Sequence, residues 1–189
     1  MTALEIAANA MVALSIFLAA RNSVHTWWTG IIGCTLFGAL FLRTQLYADV
    51  LLQVFFVGAS LVGWWNWHGS ANHAPLPIQR TSLRDVVLML LVALAAAGLY
   101  GGLLHRFTDA YAPFVDSAVL CLSVLAQLLL MRRRMETWPV WVLVNTVAVP
   151  LYASRGLTLT AVLYGVYWVN AWVAWRHWHH LHARQGPDA

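Results

Sequence analysis

Lysine is absent from this 189-residue chain: all eleven basic residues are arginines, set against seven acids. Charged residues make up 10% of it, where soluble domains average roughly 25%. So little charge argues against a water-soluble globule, whose surface must be covered by hydrated groups. Cysteine is scarce as well. Cys34 and Cys121 both fall within apolar runs, lack the spacing of a metal site and, inside helices, do not suit a disulfide. Packing is the role left to them. There is no GxxxxGK[ST] loop, which argues against direct drive by ATP, and neither a Ser-His-Asp set nor HExxH is visible. The chain is not expected to be an enzyme, and it implies neither a cofactor nor a resident metal.

What it has in abundance is apolar length. Hydrophobic residues make up 61% of the chain, and runs at 4–20, 27–42, 46–67, 86–104, 113–131, 138–153 and 158–175 each approach the ~17–25 residues needed to cross a bilayer. They predict an all-α integral membrane protein of seven transmembrane helices joined by short loops. The first run opens on Glu5 without a basic start or a small-residue cleavage site, so it is expected to be a span and not a removed signal. With seven spans, one face carries Arg21, Arg80, Arg84, Arg132, Arg133, Arg134, Arg176 and Arg184, and the other only Arg43, Arg106 and Arg155. The positive-inside rule then puts the C-terminus in the cytoplasm and the N-terminus outside. The net charge of +4 becomes a matter of topology and of membrane lipid as a partner, with no role in binding nucleic acid.

An internal repeat emerges at an offset of 111 residues. Thr26-Trp27 aligns with Thr137-Trp138, Leu40 with Leu151, Leu46 with Leu157, and Trp64 and Trp67 with Trp175 and Trp178. Glu5 and Asp116, each at the entry of a helix, align too. The spacing predicts a first three-helix repeat over 1–67, a loop and linker helix over 68–112, a second repeat over 113–178 and a cytoplasmic tail over 179–189. Three helices per repeat plus one linker give both repeats the same orientation, a 3+1+3 layout of parallel repeats found in some small-solute transporters.

Polar groups inside a bilayer are costly and by default mark a pathway or a site. Glu5, Asp49 and Asp116 sit within about a turn of a helix end, where facing water or capping a helix competes with that reading. Gln53 lies one turn deeper than Asp49 on the same helical face, and its amide both donates and accepts. Its repeat partner is Tyr164, which follows Thr160 by four just as Gln53 follows Asp49.

Trp138, Trp141 and Asn145 form one stripe down the sixth helix. Trp138 is either an interfacial anchor or part of a site. Trp141 and Asn145 lie too deep for an anchor, and Asn145 serves either as interhelical glue or as a ligand contact. An amide beside two indoles suits a flat ring with a polar edge, and indole faces favour cationic rings. On the seventh helix Tyr164, Tyr167 and Asn170 cover an adjoining arc, while Pro150 weakens the sixth helix near its end. His177, His179, His180 and His182 cluster in "RHWHHLHARQ", where a helix end at the cytoplasmic interface is preferred to a metal site.

The stretches "AARNSVHTWWTG", "LYADVLLQVFFVGASLVGWWNW" and "AQLLLMRRRMETWPVW" resemble the PnuC family of bacterial vitamin transporters, best known for nicotinamide riboside, over nearly the whole chain. The resemblance implies a seven-helix 3+1+3 fold related to the sugar-transporting SWEET proteins, facilitated diffusion, a homo-oligomer and residence in the bacterial inner membrane. It carries the Trp-x-x-Trp motif onto Trp138 and Trp141, the third-helix amide onto Gln53, and the polar seventh-helix positions onto Tyr164, Tyr167 and Asn170. An Asn-plus-Tyr pairing expected on the seventh helix is not clearly matched, since Leu163 and Val166 stand nearby, and this bears on the substrate rather than the fold. The main expectation is a carrier for nicotinamide riboside. The alternatives are thiamine, riboflavin or nucleoside carriage by the same fold, and a membrane enzyme or scaffold built on the histidine-rich end.

Overall fold

A computed structural model describes residues 3–43, 47–68, 77–108, 111–156 and 158–185. Leu46, Leu157 and the side chain of Asp49 lie outside them. The chain is all-helical: α1 (Ala3–Ala20), α2 (His25–Arg43), α3 (Tyr47–His68), α4 (Leu83–Phe107), α5 (Pro113–Met131), α6 (Thr137–Ser154) and α7 (Thr158–Arg184). By length and composition α1, α2, α4 and α5 are apolar enough to cross a membrane among the described residues. α6 and α7 are diluted by the asparagines, tyrosines and tryptophans that single them out as candidate site helices.

Two helices exceed their apolar runs by more than two residues. α4 starts at Leu83 because Ser82 caps it: the Ser82 hydroxyl accepts from the Asp85 N–H at 3.2 Å and donates to Asp85 Oδ2 at 2.8 Å. α7 continues to Arg184 because no helix breaker intervenes before Gly186-Pro187 in the sequence, so the segment set off as a tail at 179 begins as helix.

The chain divides into two compact units, residues 1–77 and 78–189. In the first, α1 packs on α2 and α2 on α3; in the second, α4 packs on α5, α5 on α6 and α6 on α7. Val119, Leu122, Ala126, Val140, Val144 and Ala148 form the centre of the second unit's core.

Local geometry recurs 111 residues apart. After α1, the Asn22 N–H donates to Ala19 O at 2.9 Å and the Ser23 N–H to Leu18 O at 3.0 Å; after α5, the Arg133 N–H donates to Leu130 O at 3.0 Å and the Arg134 N–H to Leu129 O at 2.9 Å. Both are Schellman closures, whose pivot residue needs a left-handed backbone. Asn22 takes φ 54° and Arg133 φ 49°. For a residue with a Cβ that conformation costs roughly 1–2 kcal/mol, and Asn tolerates it better than Arg. Burial pushes the Arg133 guanidinium down to about 10, so it remains charged at neutral pH.

One turn further on, the buried hydroxyl of Thr26 donates to the Ser15 carbonyl at 2.8 Å, and that of Thr137 to the Ala126 carbonyl at 2.8 Å. Each bond ties the second helix of its triplet to the first. The tryptophans behind them repeat as well. Trp27 meets Trp67 edge-on at 5.2 Å and 86°, and Trp138 meets Trp178 at 5.4 Å and 80°. Gly63 on α3 lies so close to the Trp27 ring that a Cβ there would collide with it.

Candidate functional site

The expected site residues fall on three helices. Gln53 is half-buried on α3 of the first unit, beside Gly38 of α2. The other six lie on α6 and α7 of the second unit, which pack directly against each other.

Trp138 turns out to be core. It is 2% exposed, its indole N–H has no hydrogen-bond partner, and its ring edge is covered by Trp178. An interfacial anchor would keep its N–H wet, and Trp138 does not. Trp141, one turn on, is only partly buried and packs against the hydrophobic core. Asn145 is 3% exposed, deep on the same stripe. An amide at that depth is expensive unless it is hydrogen-bonded.

On α7, Tyr164 and Tyr167 contact each other at 5.8 Å between centroids, and Tyr164 reaches Tyr152 of α6 at 4.9 Å. The three rings form a continuous aromatic wall. Tyr152 was not among the expected residues, although the signal was present: it continues the α6 stripe, seven positions after Asn145. Asn170 is buried further along α7. Within the second unit the structure thus places a partly exposed indole, a buried amide and a tyrosine wall on two adjoining helices. Such a surface can hold an aromatic ring by its faces and bond polar substituents at its edge.

The remaining polar candidates have other occupations. Asp116, in the first turn of α5, forms an ion pair with Arg155, the C-cap residue of α6, and the Arg155 guanidinium lies 5.4 Å from the Tyr111 ring centre. It does not cap α5, whose N-cap is Ala112 with no side-chain bond. Among the described residues no group of three His, Cys, Asp or Glu side chains could hold a metal ion. His182 Nδ1 lies 2.9 Å from the Ile78 carbonyl oxygen, and His179 Nδ1 lies 3.1 Å from Arg80 Nη2.

An all-helical chain with four apolar helices of membrane-crossing length among the described residues is a multi-pass membrane protein. The nicotinamide mononucleotide transporter family matches residues 2–180, and the chain belongs to that family, which is one of transporters and not of enzymes. The nicotinamide riboside transporter PnuC of Escherichia coli (strain K12) is 31% identical over a 178-residue alignment, covering 80% of this chain and 74% of that protein. The riboflavin/roseoflavin transporter RibM of Streptomyces davaonensis is 26% identical over 178 residues, covering 90% of this chain and 81% of that one. The crystal structure of the vitamin B3 transporter PnuC matches the fold with a TM-score of 0.74 at 20% identity, over 97% of this chain and 83% of that chain.

Proposed function

We propose that the chain imports nicotinamide riboside across the bacterial inner membrane by facilitated diffusion with alternating access. The observation that carries this reading is the aromatic-and-amide surface of α6 and α7 in a chain 31% identical to a protein named a nicotinamide riboside transporter. The nicotinamide ring of that solute is a flat cation. Trp141 would stack on it, a contact worth about 0.5–2 kcal/mol. Asn145 would bond the carboxamide, while Tyr164, Tyr167 and Asn170 would take the ribose hydroxyls. Trp138, packed on Trp178, would hold the α6–α7 pair that presents Trp141.

In this reading all seven helices cross the membrane with the N-terminus outside and the C-terminus in the cytoplasm. α1–α3 and α5–α7 act as parallel repeats joined in sequence by the linker helix α4, supported by the hydroxyl bonds, helix closures and tryptophan pairs that recur at an offset of 111 residues. The carrier works as a homo-oligomer.

Riboflavin is the second reading, favoured by the similarity to RibM. Titrating the purified protein with nicotinamide riboside, thiamine and riboflavin, and following quenching of its eleven tryptophans, separates them. Micromolar quenching by nicotinamide riboside alone is expected. A response to riboflavin alone moves the substrate, and unchanged affinity in both Trp141→Ala and Asn145→Ala moves the site.

A further inference from the structure

Away from the residues assigned to transport, the second unit holds a cleft of about 550 Å³. It lies between the N-terminal ends of α4 and α6 and the C-terminal part of α7, and sites for small molecules span roughly 300–1,000 Å³. Its wall has two characters. Leu83, Val86, Pro139, Leu143 and Trp175 make an apolar side, and Arg80, Thr81, Glu136 and His179 make a polar end.

The polar end is charged but incompletely paired. Arg80 Nη2 lies 3.1 Å from His179 Nδ1. Burial, and then the charge of Arg80, lower the pKa of His179. A guanidinium can only donate, so the imidazole nitrogen facing it accepts the bond and does not cancel the guanidinium charge. At the same end, Glu136 Oε2 is buried with no hydrogen-bond partner, and so is Thr81 Oγ1. A buried polar atom left unsatisfied is costly, and more so when charged. A carboxylate can only accept, so what it lacks is a donor.

One fixed cation and one fixed anion beside an apolar wall are complementary to a zwitterionic amphiphile. The cleft opens at helix ends, the level at which lipid headgroups lie and at which a tryptophan such as Trp175 is favoured. An anionic glycerol headgroup would set negative charge against Glu136 with nothing to donate an ionic bond. A choline headgroup carries no N–H for the carboxylate.

We propose that this cleft binds a phospholipid with a primary-ammonium headgroup, of the phosphatidylethanolamine type, its phosphate on Arg80 and Thr81, its ammonium on Glu136, and its acyl chains along Leu83, Val86 and Leu143. Occupancy ties α4 to α6 and α7 at one membrane surface without touching Trp141 or Asn145.

The test uses the full chain, purified and delipidated in detergent. Native mass spectrometry and thermal melting are followed with phosphatidylethanolamine, phosphatidylglycerol and phosphatidylcholine of identical acyl chains. Phosphatidylethanolamine is expected to be retained about tenfold more than the other two, the size of one charge-assisted bond, and to raise the melting temperature. Glu136→Gln should abolish the preference and Arg80→Gln should weaken all three lipids. Leu143→Trp, which fills the apolar side from a position that is 43% exposed, should block retention without unfolding the protein. Soluble glycerophosphoethanolamine should give no shift at the lipid concentrations, because it lacks the chains. Equal retention of the three lipids, a phosphatidylethanolamine preference that survives Glu136→Gln, or a full response to the soluble headgroup would each overturn the proposal.

Discussion

Separate substitution of Trp138 and Trp141 should distinguish packing from recognition on a single helix. Trp138 is 2% exposed and meets Trp178 edge-on at 5.4 Å. Truncation to alanine removes the ring and leaves a cavity, which for tryptophan costs about 3–5 kcal/mol. Of that, the edge-to-face pair accounts for roughly 0.5–1.5 kcal/mol. Against a total stability of about 5–15 kcal/mol, Trp138→Ala should melt far below the parent. Trp138→Phe should not. Phenylalanine keeps much of the contact and removes a buried N–H that has no partner. An unsatisfied donor of that kind costs about 1–3 kcal/mol, which offsets the smaller ring. Trp141 is only partly buried, so Trp141→Ala should cost less stability but remove the ring proposed to stack on the ligand. A contact of 0.5–2 kcal/mol corresponds to roughly 2- to 30-fold weaker binding. Thermal melts paired with nicotinamide riboside titrations of Trp138→Ala, Trp138→Phe and Trp141→Ala make the measurement. The reasoning is refuted if Trp138→Ala melts with the parent, or if Trp138→Phe loses the ligand while Trp141→Ala keeps it.

Gly63→Ala should destabilise the first unit by about 1–3 kcal/mol, read from a melt, because its Cβ would collide with the Trp27 ring. Thr26→Val and Thr137→Val should each cost about 0.6 kcal/mol and at most ~1.7. They share no partner, so the double variant should show the sum of the two losses. The His179 pKa is lowered by burial, so its contribution to stability is complete above the unfolded value of about 6.5 and is lost as pH falls below it. Melting temperature should therefore drop on acidification from pH 7 to 5, and less steeply in His179→Phe.

Much of the fold was legible from apolar run length. The run at 113–131 coincides with α5, and the others except 86–104 and 158–175 match within two residues at each end. The exceptions have local causes: a Ser82 cap lies outside the apolar stretch, and α7 continues through a polar sequence that contains no breaker. The repeat offset was legible because it fixes tryptophan and threonine spacing, and the same spacing reappears as Trp27–Trp67 and Trp138–Trp178 contacts. Partners were harder to read. Nothing near Asp116 points to Arg155, 39 residues away, and nothing near Arg80 points to His179, 99 residues away.

The sequence by itself determined that the chain is helical, membrane-embedded and internally repeated, because bilayer thickness and helical periodicity act on contiguous residues. It also placed Trp138, Trp141 and Asn145 on one face of α6. Only the tertiary structure decided that these residues are buried to different degrees. Packing of α6 on α7 closes the Trp138 ring against Trp178, leaves Trp141 partly open, and brings Tyr152 onto Tyr164. Periodicity determines which face a side chain occupies; the neighbouring helix determines whether that face is closed or left open.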